Sequence, residues 1–218
     1  MQKRIIIIKL NSMGDVLRTT PILRAIREDS SVCHISWLTY EDSVSLLNGN
    51  RFIDRIYGFN LKNILRLQVE EFDLLINLDK DTEGLALAML IKAKEKMGYG
   101  MDNEGKMIPL NAEAEYSIRL GLDNNLKFRI NKKTYQEMIF EIVRLPYDLK
   151  YEYILDLPKE AMLFARNFLS LNKINKEDVL IGINTGAFND ELVGAWLFYL
   201  PAELGGTIIV ILVFEDAL

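Results

Sequence analysis

The sequence predicts an α/β protein built on a Rossmann-like, doubly wound parallel sheet. Short apolar runs rich in β-branched residues recur along the chain, and they are continuous rather than alternating, as in strands buried on both faces. Segments with helical periodicity separate these runs, and this alternation favours right-handed parallel crossovers. The chain has 218 residues, half of them apolar, which is enough for one large domain or one domain plus a further piece.

The first strand is predicted over residues 4–10, where four isoleucines follow one another. A polar turn at 11–15 comes next, and helical periodicity begins at 16. Pro21 allows two interpretations of this helix. Either the helix kinks there, or a second helix begins with Thr20 as its N-cap and Pro21 as its first residue.

The same alternation of strand and helix continues along the chain. Further strands are predicted at 32–38, 55–59, 72–78, 96–99, 178–183 and 207–214. Helices are predicted at 43–47, 61–69, 84–93, 111–121, 133–145 and 159–171, with an extended segment at 147–158. We therefore expect a Rossmann-like domain over residues 1–158, and a linker helix with the start of a second domain over residues 159–218.

The composition disfavours some classes of partner. The chain has 26 basic and 31 acidic residues, a net charge of −5, whereas nucleic-acid-binding proteins usually carry a basic excess. We therefore expect no nucleic-acid partner. The single cysteine, Cys33, cannot form an internal disulfide, which fits a reducing cytoplasm. No signal peptide is visible and the apolar runs are too short to span a bilayer, so any membrane contact should be peripheral.

Chemistry is expected where the first strand ends, because ligands of open α/β sheets bind outside the carboxyl ends of the strands. Asp15 lies at this edge, and a carboxylate there can accept a proton from a bound hydroxyl. The alternative is that Asp15 only caps the helix. Ser12 and Gly14 are small, so they would let a substrate approach the backbone closely.

Other polar residues are weaker candidates. Six basic residues fall within the first 27, and they form either a face for an anionic substrate or a solvated helix face; they are Lys3, Arg4, Lys9, Arg18, Arg24 and Arg27. Asp79 and Asp81 have a spacing used in metal sites, but so short a match arises easily by chance, and we predict no metal site. His34 is the only histidine and is expected to be structural. A nicotinamide oxidoreductase is disfavoured, because no Gly-x-Gly-x-x-Gly follows the first strand.

Residues 5–27 read IIIIKLNSMGDVLRTTPILRAIR, and this run resembles the N-terminus of glycosyltransferase family 9, the heptosyltransferase family. Further pieces of the chain are similar to that family: ISWL at 35–38, FDLLINLD at 72–79, KMGYG at 96–100 and IGINTGA at 181–187. The resemblance implies a GT-B architecture of two Rossmann-like domains facing a cleft. The N-terminal domain would hold a lipopolysaccharide-type or other saccharide acceptor. The C-terminal domain would hold a nucleotide-sugar donor such as ADP-heptose, with no further cofactor.

The resemblance also implies roles for individual residues. Asp15 would be the general base for an inverting attack on the anomeric carbon of the donor. Ser12, Met13 and Gly14 would shape the turn beside it. Thr185, Gly186 and Ala187 would approach the donor phosphates, the alternative for these three being a plain turn after a strand.

After Ala187 the sequence departs from the family pattern. Residues 188–218 contain no lysine or arginine, so the cation expected near the donor phosphates is absent. About 30 residues are also too few for a second Rossmann-like domain. We therefore expect an incomplete C-terminal domain in a cytoplasmic, heptosyltransferase-like enzyme that has at most peripheral contact with the inner membrane. The alternative is a catalytically inactive truncated fragment or an isolated acceptor-binding domain.

Overall fold

The computed structural model describes residues 2–175, 178–184, 196–201 and 207–213. The chain divides into two units, Met1–Leu157 and Pro158–Leu218. The first unit holds a six-stranded sheet and the second holds a three-stranded sheet.

Strands and helices alternate through most of the first unit. Its strands are β1 (Lys3–Ile8), β2 (Cys33–Thr39), β3 (Arg55–Gly58), β4 (Glu71–Asn77), β5 (Lys92–Met101) and β6 (Met107–Pro109). Its helices are α1 (Met13–Thr19), α2 (Pro21–Asp29), α3 (Glu41–Leu47), α4 (Leu61–Val69), α5 (Thr82–Leu90), α6 (Glu115–Leu122) and α7 (Tyr135–Ile142). The sheet order is β3-β2-β1-β4-β5-β6, and only β6 is antiparallel to its neighbour. The predicted α/β fold with a Rossmann-like, mostly parallel sheet is confirmed.

The isoleucine run of β1 explains why this strand lies at the centre of the sheet. Ile5 and Ile7 point into one core cluster, and Ile6 and Ile8 into a second cluster on the opposite face. All four are at most 1% exposed. Full burial of each such side chain contributes about 1.5–3 kcal/mol, so a continuous apolar strand is stable only with cover on both faces.

The start of the chain resolves the question raised by Pro21. The backbone forms two successive helices, and Pro21 is the first residue of α2. Thr20 does not cap α2 with its side chain, because its hydroxyl donates back to the carbonyl oxygen of Leu17 at 2.8 Å. The second interpretation is therefore correct, since Thr20 occupies the N-cap position and Pro21 begins α2, although the Thr20 side chain makes no capping hydrogen bond.

Three elements differ from the sequence-based expectation. Helix α5 ends at Leu90 rather than at residue 93, because Lys92 pairs with Glu71 and so begins β5. The short antiparallel strand β6 was not expected, and neither was a π-helical turn at Leu126–Ile130. Such elements are too short for periodicity to reveal.

The second unit begins with α8 (Lys159–Leu171) and continues with β7 (Val179–Asn184), β8 (Trp196–Pro201) and β9 (Thr207–Val213). The strand order is β7-β9-β8, with β7 and β9 parallel and β8 antiparallel to β9. Strand β8 has no counterpart among the predicted strands. Within the described part of the chain, none of the helices combines the length and the apolarity that crossing a bilayer requires.

Candidate functional site

A cavity of about 580 Å³ opens at the carboxyl ends of β1 and β4, in the first unit. The segments that follow these two strands form one side of it, and residues of α6, the π-helical turn and α7 form the other. Its charged lining consists of Lys9, Asp15, Arg18, Asp79, Lys80, Asp81 and Lys127. The volume falls within the range of about 300–1,000 Å³ that is usual for small-molecule sites.

Asp15 lies in the first turn of α1 and lines the cavity. Ser12, not Asp15, occupies the N-cap position, with an extended backbone, so the interpretation of Asp15 as the cap is wrong. The Asp15 side chain is 36% exposed, which leaves its oxygens accessible from the cavity. Ser12 also lines the cavity, whereas Met13 and Gly14 are exposed at the start of α1 outside its lining.

Two cations hold the Asp15 carboxylate. The Arg18 guanidinium pairs with Oδ1, and the Lys9 ammonium lies 3.9 Å from Oδ2. Arg18 is itself stacked 4.3 Å from the centre of the Tyr135 ring. The Tyr135 hydroxyl is hydrogen-bonded to Oγ1 of Thr19 at 3.0 Å, and burial raises the pKa of this phenol. Asp15 is thus oriented by Lys9 directly after β1, by Arg18 of α1 and, through Arg18, by Tyr135 of α7.

Asp79 is the buried anchor of the site, with its side chain only 1% exposed. Its Oδ2 accepts the backbone N–H groups of Leu10 and Asn11 at 2.8 and 3.0 Å and the Lys9 ammonium at 3.1 Å. Its Oδ1 accepts the N–H of Asp81 at 2.9 Å. Burial alone would raise the pKa of Asp79, but Lys9 and these backbone donors outweigh it and hold the pKa below its ordinary value.

The hydrogen-bonding capacity of the Asp79 carboxylate is used within the protein. Both oxygens of Asp79 are occupied by protein donors, so the carboxylate ties the end of β1 to the segment after β4. Among the described residues, no group of three or more histidine, cysteine, aspartate or glutamate side chains is arranged to hold a metal ion.

A second wall of the cavity is positively charged. The Lys80 ammonium donates to the carbonyl oxygen and hydroxyl of Ser117 at 3.0 and 3.1 Å, and it lies 4.8 Å from the centre of the Tyr99 ring. Partial burial of the Lys80 ammonium lowers its pKa, because the charged form loses hydration. Repulsion from Lys9 and Lys127 lowers this pKa further. In the described ranges neither Lys80 nor Lys127 has a carboxylate within ion-pair distance.

The structure separates the basic residues that are clustered in sequence. Lys9 and Arg18 reach the cavity, whereas the guanidinium groups of Arg4, Arg24 and Arg27 pair elsewhere with Glu70, Glu28 and Asp54. His34 lies 3.9 Å from Asp54, away from the cavity lining. The predicted donor-side residues Thr185, Gly186 and Ala187 lie outside the described residues.

Sequence reasoning missed several residues of the site. Lys80, Ser117, Lys127 and Tyr135 were not singled out as ligands, although all four line the cavity. The only signal for Lys80 was its place directly after a buried strand. The other three come from segments far from β1 in sequence, and nothing local marks them.

Comparisons with known proteins were made for the whole chain, and no family model matches it. The chain is 22% identical over 193 residues to lipopolysaccharide heptosyltransferase 1 of Campylobacter coli, covering 85% of this chain and 56% of that protein. It is 29% identical over 107 residues to lipopolysaccharide heptosyltransferase 3 of Escherichia coli strain K12, covering 42% of this chain and 31% of that protein. The chain thus spans about half the length of the first of these relatives, and the shared region with the second is shorter.

A solved structure shows the same fold. The glycosyl transferase family 9 protein of Veillonella parvula superimposes with a TM-score of 0.58 and 22% identity, covering 87% of this chain and 55% of that chain. At this identity the match concerns the fold alone. Together with the sequence relatives, it confirms the resemblance to glycosyltransferase family 9 that the first motif indicated.

Proposed function

We infer a function for this chain from its homologues, which are lipopolysaccharide heptosyltransferases, and from its structural neighbours, which are glycosyltransferase family 9 proteins. On this premise we propose that the chain belongs to a sugar-transferring enzyme of lipopolysaccharide synthesis and supplies its acceptor site and its general base. The supporting observation is the accessible Asp15 carboxylate, held by two cations beside a cavity at the end of the central strand.

In the proposed reaction, an acceptor hydroxyl enters the cavity and hydrogen-bonds to Asp15. The carboxylate takes the hydroxyl proton while the acceptor oxygen attacks the anomeric carbon of a nucleotide sugar such as ADP-heptose. The bond to the diphosphate breaks on the opposite face, so the configuration inverts. Lys9 and Arg18 keep the carboxylate oriented during this step. The proposal includes no further cofactor and no metal, and it places the reaction in the cytoplasm.

The charge of the cavity suggests the chemistry of the acceptor. Lys80 is fixed by Ser117 and faces no protein carboxylate among the described residues, and the same holds for Lys127. Two ammonium groups without a counter-charge favour a ligand that carries a phosphate or carboxylate. We therefore propose an anionic saccharide as the acceptor, with its anionic group on the Lys80 wall and its reacting hydroxyl at Asp15.

The first experiment measures sugar transfer from ADP-heptose to an inner-core saccharide acceptor by the wild-type chain and by Asp15→Asn. This variant keeps the shape of the side chain and removes its basicity, so we expect turnover to fall about 10²–10⁴-fold, the usual contribution of a general base. Asp29→Asn is the matched control, because Asp29 is exposed at the end of α2 outside the cavity. Unchanged turnover in Asp15→Asn would exclude Asp15 as the base.

A second candidate is a binding module that holds the acceptor without transferring sugar to it. It is favoured by the observation that the described residues lining the cavity all belong to the first unit. Calorimetric titration separates the two candidates. Saturable binding of ADP or ADP-heptose supports a working transferase with Thr185, Gly186 and Ala187 on its donor side. Acceptor binding without any donor binding supports the module.

A further inference from the structure

One surface segment of the first unit combines exposed apolar side chains with positive charge. This basic-apolar segment comprises residues 119–132 and includes the end of α6 and the π-helical turn Leu126–Ile130. Within it, Leu122, Phe128 and Ile130 are 80%, 69% and 57% exposed. Several large apolar side chains exposed within one short segment indicate a surface that meets another surface.

The charge of the segment is opposite to that of the chain. It contains four basic residues and one acidic residue, a net charge of +3 in a chain of net charge −5; they are Arg119, Lys127, Arg129, Lys132 and Asp123. Within the ranges that the structure describes, none of the four cations is in an ion pair. The Asp123 carboxylate is engaged locally, since it accepts the N–H of Leu126 at 2.9 Å.

A second exposed apolar stripe, on α4, allows the charge of the basic-apolar segment to be compared with that of another apolar surface. Helix α4 carries an exposed apolar side chain at every fourth residue, namely Leu61, Leu65 and Val69, which are 71%, 55% and 76% exposed. Arg66 beside them is neutralised by Glu70, with 2.6 Å between Nε and the carboxylate. The α4 stripe therefore has comparable apolar exposure but less free charge, and it serves as an internal reference.

An anionic phospholipid bilayer complements both properties of the segment. Lysine and arginine side chains are attracted to its phosphate headgroups, while phenylalanine, isoleucine and leucine side chains enter the boundary between headgroups and acyl chains. We propose that the basic-apolar segment docks this protein on an anionic membrane surface. Phe128 and Ile130 are the inserted residues, and Arg129 and Lys132 make the headgroup contacts.

Docking here would also place the cavity next to the bilayer. Gly121 and Lys127 belong to the segment and line the cavity as well. An acceptor anchored in the membrane would then reach the cavity without leaving the bilayer. This consequence rests on the proposed function, whereas the docking itself does not, because vesicle binding requires neither donor nor acceptor.

The test measures co-sedimentation of the full chain with phosphatidylcholine vesicles that contain or lack phosphatidylglycerol. We expect binding to the anionic vesicles only. Replacing both Phe128 and Ile130 by serine should weaken this binding on the order of tenfold, through the loss of the inserted apolar surface. The separate double variant Arg129→Gln/Lys132→Gln should weaken it about fivefold per removed charge.

The matched control is the double variant Leu61→Ser/Leu65→Ser, which removes similar exposed surface from α4 and should leave vesicle binding unchanged. All the altered side chains are exposed, and circular dichroism verifies that each variant is folded. The proposal is overturned if the wild-type chain ignores anionic vesicles or binds both vesicle types equally. It is also overturned if the control loses as much binding as the segment variants, or if the segment mediates dimerisation and no vesicle binding.

Discussion

Asp79 shows at the residue scale how the fold builds its site. Its buried carboxylate joins the backbone after β1 to the segment after β4 and neutralises the Lys9 ammonium. Lys9 in turn reaches Asp15. The Asp15 carboxylate is therefore positioned through a buried ion pair, and the stability of this part of the fold is coupled to the geometry of the cavity.

Asp79→Asn should destabilise the protein by about 3–5 kcal/mol, because it leaves Lys9 as a buried charge without its partner. Because the folded-state pKa of Asp79 is lowered, its contribution to stability is complete above the unfolded-state pKa of about 3.9 and is lost as pH falls through the folded-state value. Urea unfolding at pH 7 and in acid measures both effects. Between pH 7 and acid, the free energy of unfolding should fall less in Asp79→Asn than in the wild type. Equal losses would show that the ionised Asp79 carboxylate does not stabilise the fold.

Lys80 illustrates a conflict between stability and binding. The pKa of Lys80 is lowered because the folded protein disfavours the charged ammonium. The free energy of unfolding should therefore rise as pH increases from the folded-state pKa to the unfolded-state value of about 10.4. Such a group is expected where a ligand supplies the missing negative charge.

Lys80→Met should therefore raise the melting temperature at pH 7 and weaken binding of inorganic phosphate by about 10–100-fold, the value of a hydrogen bond to a charged group. Thermal unfolding and calorimetry measure the two effects. Lys62→Met, at an exposed position of α4, is the control and should change neither. Loss of stability together with intact phosphate binding would assign Lys80 to packing.

At the element scale, α5 approaches the site through a glycine. A Cβ added at Gly84 would lie 2.8 Å from Cβ of Asp79, which is closer than real Cβ atoms come. Helix propensity alone favours alanine over glycine by about 1 kcal/mol. At Gly84 this gain in stability is opposed by the clash with Asp79, and the clash should outweigh it.

Gly84→Ala should destabilise the protein and disturb Asp79, despite the better helix propensity of alanine. Gly121→Ala is the matched comparison, since Gly121 lies in α6 and a Cβ there meets nothing within 4 Å. That variant should gain up to about 1 kcal/mol. Chemical denaturation of both variants tests the pair, and a stabilised Gly84→Ala would show that α5 is free to move away from Asp79.

At the scale of the whole molecule, the first unit has the properties of an independent domain. Its two core clusters draw all their buried residues from positions between Ile5 and Tyr151. The clusters lie on opposite faces of one sheet, and the cavity is formed within the same unit. We therefore expect the first unit to fold without residues 158–218.

A protein consisting of residues 1–157 should fold in one cooperative transition and bind inorganic phosphate with the affinity of the full chain. Circular dichroism during denaturation and calorimetry are the measurements. A fragment that is unfolded, or folded without phosphate binding, would show that the second unit contributes to folding or to phosphate binding.

The sequence by itself determined the fold class, the central position of β1 and the family resemblance. These properties are local, because continuous apolarity in a short run encodes burial on both faces, and the motif around Asp15 is contiguous. The sequence also placed Asp15 at the correct edge of the sheet, although it left open whether Asp15 capped the helix.

Only the tertiary structure decided which residues surround Asp15. Ser117, Lys127 and Tyr135 reach the cavity because α6, the π-helical turn and α7, which follow β6 along the chain, contribute to its lining. The same folding sends Arg4 and Arg27 away from Asp15, although they are close to it in sequence. Periodicity records whether a side chain is buried, but the partners that it meets depend on the path of the chain through space.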